Sequence, residues 1–278
     1  MIHSKYGMIR IAMGVIVMRI QRLKKIEYYI LEQRTVTIEQ ICQKFQISVA
    51  TARRDINSLI KMNPRIVKTF GGVQCLTKSM DVPLTGYTIR VDTQVEEKDR
   101  ICQKAAEMIA PDDVIFIDTG STAANLIKYI TCSCTVITNS LPVASSAAEN
   151  SKITLLILPG SLSRNSMAFL GAETCEAIAK FNIQKAFVTS SGVSLSNGLT
   201  ETTTEEYMIK KNLVERSEKI ILMADATKFG KSSLYTYCPF LRLYAFITSD
   251  GIDAKVVQYC HDNSIKLFVC SPNAEKEV

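Results

Sequence analysis

The chain has 278 residues, 47% of them hydrophobic and 22% charged, with 12 Gly and 7 Pro. That apolar content supplies cores for about two domains of roughly 100–200 residues each, and it excludes collagen-like, low-complexity and largely disordered chains. The net charge of +6 hides a division: residues 1–78 hold 14 Lys and Arg against 4 Asp and Glu, a balance of +10, while residues 79–278 balance at −4.

A basic arm on a mildly acidic body implies that the arm meets a polyanion. Residues 1–17 read as an extension, disordered or upstream of a native start at Met18. Within it Ile11–Val17 is apolar between Arg10 and Arg19, but falls far short of the ~20 residues a membrane span needs. No other stretch reads as a membrane crossing.

From Ile20 the apolar residues Ile20, Leu23, Ile26, Ile30 and Leu31 recur at helical spacing to about Gln33. Thr35-Val-Thr37 breaks that helix. Thr37 with Gln40 has the pattern of a capping box, and Ile38, Ile41, Cys42 and Phe45 give the next helix its inner face. After a tight turn, Ser48 caps a third helix from Val49 to about Lys61, with Val49, Ala52, Ile56, Leu59 and Ile60 on its buried stripe. Its opposite face shows Thr51, Arg54 and Ser58, with Ala50 and Asn57 beside them and Arg53 on the flank. Small side chains permit close approach to a major groove, hydroxyls and amides meet base edges, and Arg meets guanine or phosphate. A solvated charged face is the plainer alternative. Residues 65–76 read as a hairpin with a Gly-Gly tip, a wing that sets Lys68 and the Gly71 and Gly72 amides against the sugar-phosphate backbone. Thr37 and Ser48, at the two helix starts, complete the DNA-contacting set for a winged helix-turn-helix over 18–78.

After a linker at 79–95, the segment 96–278 changes character. Short apolar strands at 114–118, 135–139, 154–158, 185–189, 219–224, 244–249 and 266–270 alternate with helices near 96–109, 121–130, 141–150, 173–181, 202–217 and 253–263. This is the pattern of an α/β domain with a Rossmann-like, mainly parallel sheet covered on both faces. Ligands of such sheets bind at the strand carboxyl ends. There the sequence places Asp118, Gly120, Ser121 and Thr122; Asn139; Gly160; Gly198, Thr200 and Glu201; and Asp225 and Lys228. Each loop alone reads as a cap or turn. Together they describe a phosphate cradle with acidic and basic groups for hydroxyls, sized for a phosphorylated sugar or polyol.

The nine cysteines are odd in number and scattered, which implies reduced thiols in a cytoplasm rather than a disulfide framework. Cys132 and Cys134 form the one close pair, and His3 and His261 are the two histidines, so neither a metal site nor a cofactor is expected.

The run Ile47-Ser-Val-Ala-Thr51-Ala-Arg53-Arg54-Asp55-Ile, followed by Arg65-Ile-Val-Lys-Thr-Phe-Gly71-Gly72-Val, resembles the DeoR family of bacterial transcriptional regulators. The resemblance spans about residues 20–252 and continues through Asp118-x-Gly120-Ser121-Thr122, Thr138-Asn139-Ser140, Gly198-Leu199-Thr200 and Asp225-x-x-Lys228-Phe229-Gly230. It implies a sensor domain similar in fold to ribose-5-phosphate isomerase and coenzyme A transferases, binding a phosphorylated sugar. It further implies a cytoplasmic repressor of a carbohydrate-metabolism operon, with double-stranded operator DNA and a sugar-phosphate effector as partners, acting as a homo-oligomer (dimer or tetramer). The chain departs from the family pattern at Ala52 (usually Ile), Lys68 (Arg), Phe70 (His), Ser161 (Gly) and Gln184 (an acid). Two alternatives stay open. One is a sugar-phosphate isomerase or transferase using Asp118, Glu201, Asp225 and Lys228 as acids and bases. The other is a nucleic-acid binder with a purely structural dimerisation body.

Overall fold

A computed structural model describes Arg19, residues 22–27, Tyr29, Ile30, Gln33, 35–63, 66–75, Tyr87, Val91, 93–272 and the backbone of 275–277. The expected extension at 1–17 and most of the linker at 79–95 lie outside the described residues. The chain divides into two compact units, residues 1–85 and 86–278.

In the first unit Arg19, residues 22–27, Tyr29, Ile30 and Gln33 are helical. Strand β1 (Thr35–Thr37) leads into helix α1 (Ile38–Phe45), and helix α2 (Val49–Met62) follows. The hairpin is β2 (Ile66–Thr69) and β3 (Gly72–Cys75). Thr35–Thr37 does more than break a helix, because it pairs antiparallel with β3 and completes a sheet of order β1-β3-β2. The capping box forms as expected: Thr37 Oγ1 accepts from Gln40 N at 3.2 Å, and Gln40 Oε1 accepts from Thr37 N at 2.9 Å. Gln46 turns the chain into the left-handed region at φ 50°, and Ser48 then caps α2. Ile26, Ile30, Ile41, Ala52, Ile56 and Leu59 form the core. Val49, expected on the buried stripe, is 47% exposed, because it is the first residue of α2 and precedes the turn that packs inward.

The second unit is built on an eight-stranded sheet of order β16-β15-β14-β12-β9-β4-β5-β6. Its strands are β4 (Val114–Ile117), β5 (Cys134–Thr138), β6 (Ile153–Ile157), β9 (Ile183–Val188), β12 (Ser217–Met223), β14 (Ala245–Ser249), β15 (Lys266–Cys270) and β16 (Glu275–Glu277). All neighbours run parallel except the antiparallel pair β15 and β16. All seven expected strands are present. Their apolar runs are continuous because both faces are buried: Ile115, Ile117, Phe187 and Ile221 enter one core, and Phe116, Val188 and Leu222 enter the other. From β4 the chain winds outward through β5 and β6, then crosses to β9 on the other side of β4. The order therefore reverses between β4 and β9, the position at which such sheets open a ligand crevice.

Helices α3 (Val95–Ala106), α4 (Leu141–Ala147), α5 (Ala172–Ile178), α6 (Thr204–Arg216) and α7 (Ala254–Asp262) agree in place with the expected helices. The helix expected over 121–130 is instead a 3-10 helix, Ala123–Tyr129, with Gly120-Ser121-Thr122 left irregular ahead of it. Strands β7 (Ser161–Ser163) and β8 (Ala168–Leu170) form a hairpin. Strands β10 (Gly192–Ser194), β11 (Gly198–Glu201) and β13 (Tyr235–Cys238) form a small sheet where loops were expected. At three or four residues each, these strands are too short to leave a periodic trace.

Candidate functional site

In the first unit, Ala50, Arg53, Arg54 and Asn57 are exposed, and Thr51 and Ser58 are half-buried. The Ser48 hydroxyl accepts from Thr51 N at 3.3 Å and lies 2.9 Å from Thr51 Oγ1, while Ser58 Oγ donates back to the Arg54 carbonyl at 3.1 Å. Asp55, the one acid of α2, is fully buried and accepts from Arg22 Nε at 2.8 Å, with Arg19 Nε at 3.8 Å. Turning that carboxylate inward leaves the outer face of α2 with arginine charge and no acid. In the hairpin Lys68 is exposed, and Gly71 takes φ +82° in open space. Gly72 corrects the sequence reading. It lies buried in β3 rather than at the tip, and a Cβ there would stand 2.2 Å from the Val36 carbonyl oxygen. Glycine is required by the close approach of β1, and the turn is Phe70-Gly71.

At the strand ends of the second unit, the structure assembles a buried ionic cluster around a residue the sequence reading missed. Lys210 Nζ sits 2.9 Å from Asp118 Oδ2 and 2.6 Å from Glu201 Oε1, and it donates to the Thr189 carbonyl at 2.7 Å. Asp118 Oδ2 also accepts from Thr189 N at 2.8 Å and Thr189 Oγ1 at 2.7 Å, which ties β4 to β9 across the switch point. Glu201 Oε2 accepts from Ser191 Oγ at 2.6 Å, and Tyr237 donates its hydroxyl to the Thr189 carbonyl at 2.9 Å. The available signal was Lys210's place within the apolar stripe of α6, three residues from both Tyr207 and Leu213. A lysine there must bury its ammonium and needs acids to receive it.

Burial pushes the Asp118 carboxyl up, but the Lys210 ammonium and the Thr189 donors outweigh it and hold the group below the usual carboxylate range. Burial likewise pulls Lys210 down, and Asp118 and Glu201 outweigh it, so the ammonium is held well above its ordinary value. Burial raises Tyr237 well above the ordinary phenol range. The cluster is thus a locked cation between anions near neutrality. Four cysteines, 102, 134, 238 and 260, are pushed by burial to about 12, 11, 12 and 11, so these are thiols rather than thiolates at pH 7. Among the described residues no group of His, Cys, Asp or Glu is arranged to hold a metal ion.

The remaining expected positions divide in two. Gly160, Gly198 and Thr200 have structural tasks. Cβ atoms on the glycines would stand 2.5 Å from Thr174 Oγ1 and 2.2 Å from the Cys238 carbonyl oxygen, and the Thr200 hydroxyl bridges the Gly192 carbonyl and Ser233 N. Asp225 is buried, caps the 3-10 turn Ala226–Lys228 and accepts from Thr227 N at 3.1 Å. Lys228 is half-buried at the end of that turn. Gln184, in place of an acid, accepts from Val114 N at 2.7 Å through its side-chain oxygen.

The other group stays open. The peptide N–H groups of Thr119, Gly120, Ser121 and Thr122 have no acceptor among the described residues. Gly120 is fitted beneath Thr189, whose Oγ1 would lie 2.2 Å from a Cβ at that position. Carrying the pairing Phe116 to Ile137 two residues onward sets Asn139 beside Asp118. Asn139 is buried, and its Nδ2 donates to the Phe169 carbonyl at 3.0 Å, but its Oδ1 has no partner. The unpaired amides offer donors to an anion, and the buried Asn139 Oδ1 beside them offers an acceptor to a hydroxyl.

Residues 93–250 match the DeoR C terminal sensor domain, and residues 22–79 match the DeoR-like helix-turn-helix domain. The chain belongs to the DeoR family. Among its relatives, the HTH-type transcriptional regulator IolR of Bacillus subtilis (strain 168) is 36% identical over 91% of this chain and 100% of its own length. The HTH-type transcriptional repressor GlcR of the same strain is 28% identical over 92% of this chain and 98% of its own. The Glycerol-3-phosphate regulon repressor of Escherichia coli (strain K12) is 28% identical, covering 90% and 98%. Among solved structures, ribose 5-phosphate isomerase A of Methanocaldococcus jannaschii aligns with a TM-score of 0.40 and 11% identity, over 67% of this chain and 99% of that one. So low a likeness says nothing about the activity of this DeoR-family chain.

Proposed function

We propose that this DeoR-family regulator represses a carbohydrate-metabolism operon and that a phosphorylated sugar, bound at the β4–β9 switch point, changes its affinity for operator DNA. The single observation that carries the effector is the buried, unpartnered Asn139 Oδ1 beside the open amides of residues 119–122. In this reading the phosphate lies on those amides, and a sugar hydroxyl donates to Asn139. Asp118 and Glu201 hold the floor of the site through Lys210 rather than contacting hydroxyls directly, and Lys228 supplies counter-charge from the neighbouring turn. Residues 18–78 contact the DNA, 79–95 connect, and 96–278 sense the effector. The names of relatives that regulate or repress support the DNA-binding side.

The chain acts without catalysis in this reading. An aldose–ketose isomerase needs a carboxylate free to abstract a proton, whereas Asp118 is engaged by Lys210 and both Thr189 donors, and Glu201 by Lys210 and Ser191. A homo-oligomer, dimer or tetramer, in the cytoplasm completes the proposal, since one helix-turn-helix reads only a half-site. Among the described residues no helix is long and apolar enough to cross a membrane. The test is calorimetric titration of the full chain with a panel of sugar and polyol phosphates and their dephosphorylated forms. Binding confined to phosphorylated members is expected. Equal affinity for both forms would refute the phosphate site, and turnover of any member would restore the enzyme.

A further inference from the structure

Phe70 is the most exposed large hydrophobic residue among those described, at 110% of its reference area. A phenylalanine left wholly in water at a hairpin tip forgoes the burial that normally stabilises this side chain. Its setting is held firmly. Thr69 pairs with Gly72, so Phe70 and Gly71 are the two central turn residues, and Gly71 takes φ +82°. The Gly71 carbonyl accepts from Ile38 N at 3.0 Å, which fastens the tip to the first turn of α1. The stretch of chain that carries it is basic: no acid occurs between Asp55 and Asp81, whereas Lys61, Arg65, Lys68 and Lys78 do, although Glu39 lies in the first turn of α1 to which the tip is fastened.

From this geometry we infer that Phe70 is a minor-groove wedge: when α2 lies in the major groove, the ring enters the adjacent minor groove and partly unstacks one base step. The inference rests on the DNA-binding reading and extends it from charge contacts to deformation of the duplex. A ring on a narrow two-residue turn suits a groove about 6 Å wide, and apolar side chains inserted between base steps bend DNA by about 20–90°. The wing then adds preference for easily unstacked pyrimidine–purine steps at a position where no base edge is read. A tip that only touched phosphate would gain nothing from an aromatic ring.

The probe is a set of duplexes enriched by the full-length wild-type chain from a randomised pool. Phe70→Ala is expected to bind the enriched duplex about tenfold more weakly, to bend it less by circular permutation, and to lose the fluorescence rise of 2-aminopurine at the unstacked step. Phe70→Trp should retain all three. Because Phe70 neutralises no phosphate, its removal should leave the slope of log affinity against log salt unchanged, whereas Lys68→Ala should reduce that slope by about one. The exposed tip makes no packing contact to lose, so both variants should melt as the wild type does. Wild-type affinity and bending in Phe70→Ala would overturn the wedge. So would intact DNA binding combined with lost self-association, which would make the ring a protein contact. If the wild-type chain enriched no sequence and bound no DNA, the DNA reading itself would fall with it.

Discussion

Replacing Lys210 by Met removes the one cation between two buried carboxylates and so tests the switch-point cluster directly. The side chains of Lys210, Asp118 and Glu201 are only 6%, 3% and 4% exposed, so water cannot replace the ammonium. Breaking a buried pair from one side costs about 3–5 kcal/mol, because the remaining charge is left uncompensated. Here two carboxylates are stranded, which places the expected loss at the upper end of that range. For a unit of this size each kcal/mol lowers the melting temperature by about 2–4 °C, so thermal unfolding at pH 7 should fall by about 10–20 °C. The deficit should shrink between pH 7 and pH 5, since a stranded buried carboxyl gains stability by taking up a proton, while in the wild type Lys210 holds Asp118 in its ionised form. Differential scanning calorimetry of the full chain at both pH values gives the answer. A variant within about 2 °C of wild type at pH 7 would refute the argument that the cluster holds the strand ends together. A deficit that did not change with pH would show that the loss comes from packing rather than stranded charge.

In the wild type the same cluster sets a stability plateau. Asp118, held below its ordinary 3.8, contributes stability above that value and loses it as pH falls through the folded-state value. Lys210, held above its ordinary 10.5, contributes below that value and loses it as pH rises through its own, so urea midpoints should be flat between these limits and fall on both sides. Arg54→Ala should cost about 1–3 kcal/mol in operator affinity by gel shift and relax preference at one base position; unchanged selectivity would remove Arg54 from the reading face. Gly72→Ala, whose Cβ would meet the Val36 carbonyl at 2.2 Å, should destabilise the winged unit and lower its hydrogen-exchange protection in β1 and β3, and normal protection would contradict the close approach. Asn139→Ala should weaken effector binding in calorimetry about five- to tenfold, through a lost hydrogen bond of roughly 1–1.5 kcal/mol, and should also lower the melting temperature of the unliganded chain because the buried bond to the Phe169 carbonyl goes with it; undiminished effector affinity would place the ligand elsewhere.

The amino-acid sequence by itself determined much of the local order: where the main helices and the seven long strands lie, where Thr37 and Ser48 start helices, and that the α2 outer face is basic and small. These follow from periodicity, cap chemistry and charge, all properties of residues within a few positions of one another. It also determined that the body is a parallel α/β sheet, because strands buried on both faces must read as unbroken apolar runs. Only the tertiary structure decided what each strand-end residue is for. Asp118 and Glu201 look alike in sequence as free acids, yet both are consumed by Lys210, a residue nine positions beyond Glu201 and 92 beyond Asp118 whose helix turns it inward. Gly72 looked like half of a flexible tip, and is instead the place where a short strand more than thirty residues earlier in the chain comes too close for a Cβ. Thr200 looked like a ligand contact and proved to be a strut of the small sheet. Pairing across such distances depends on sheet order and on which face of a helix meets the sheet, and neither is encoded in spacing along the chain.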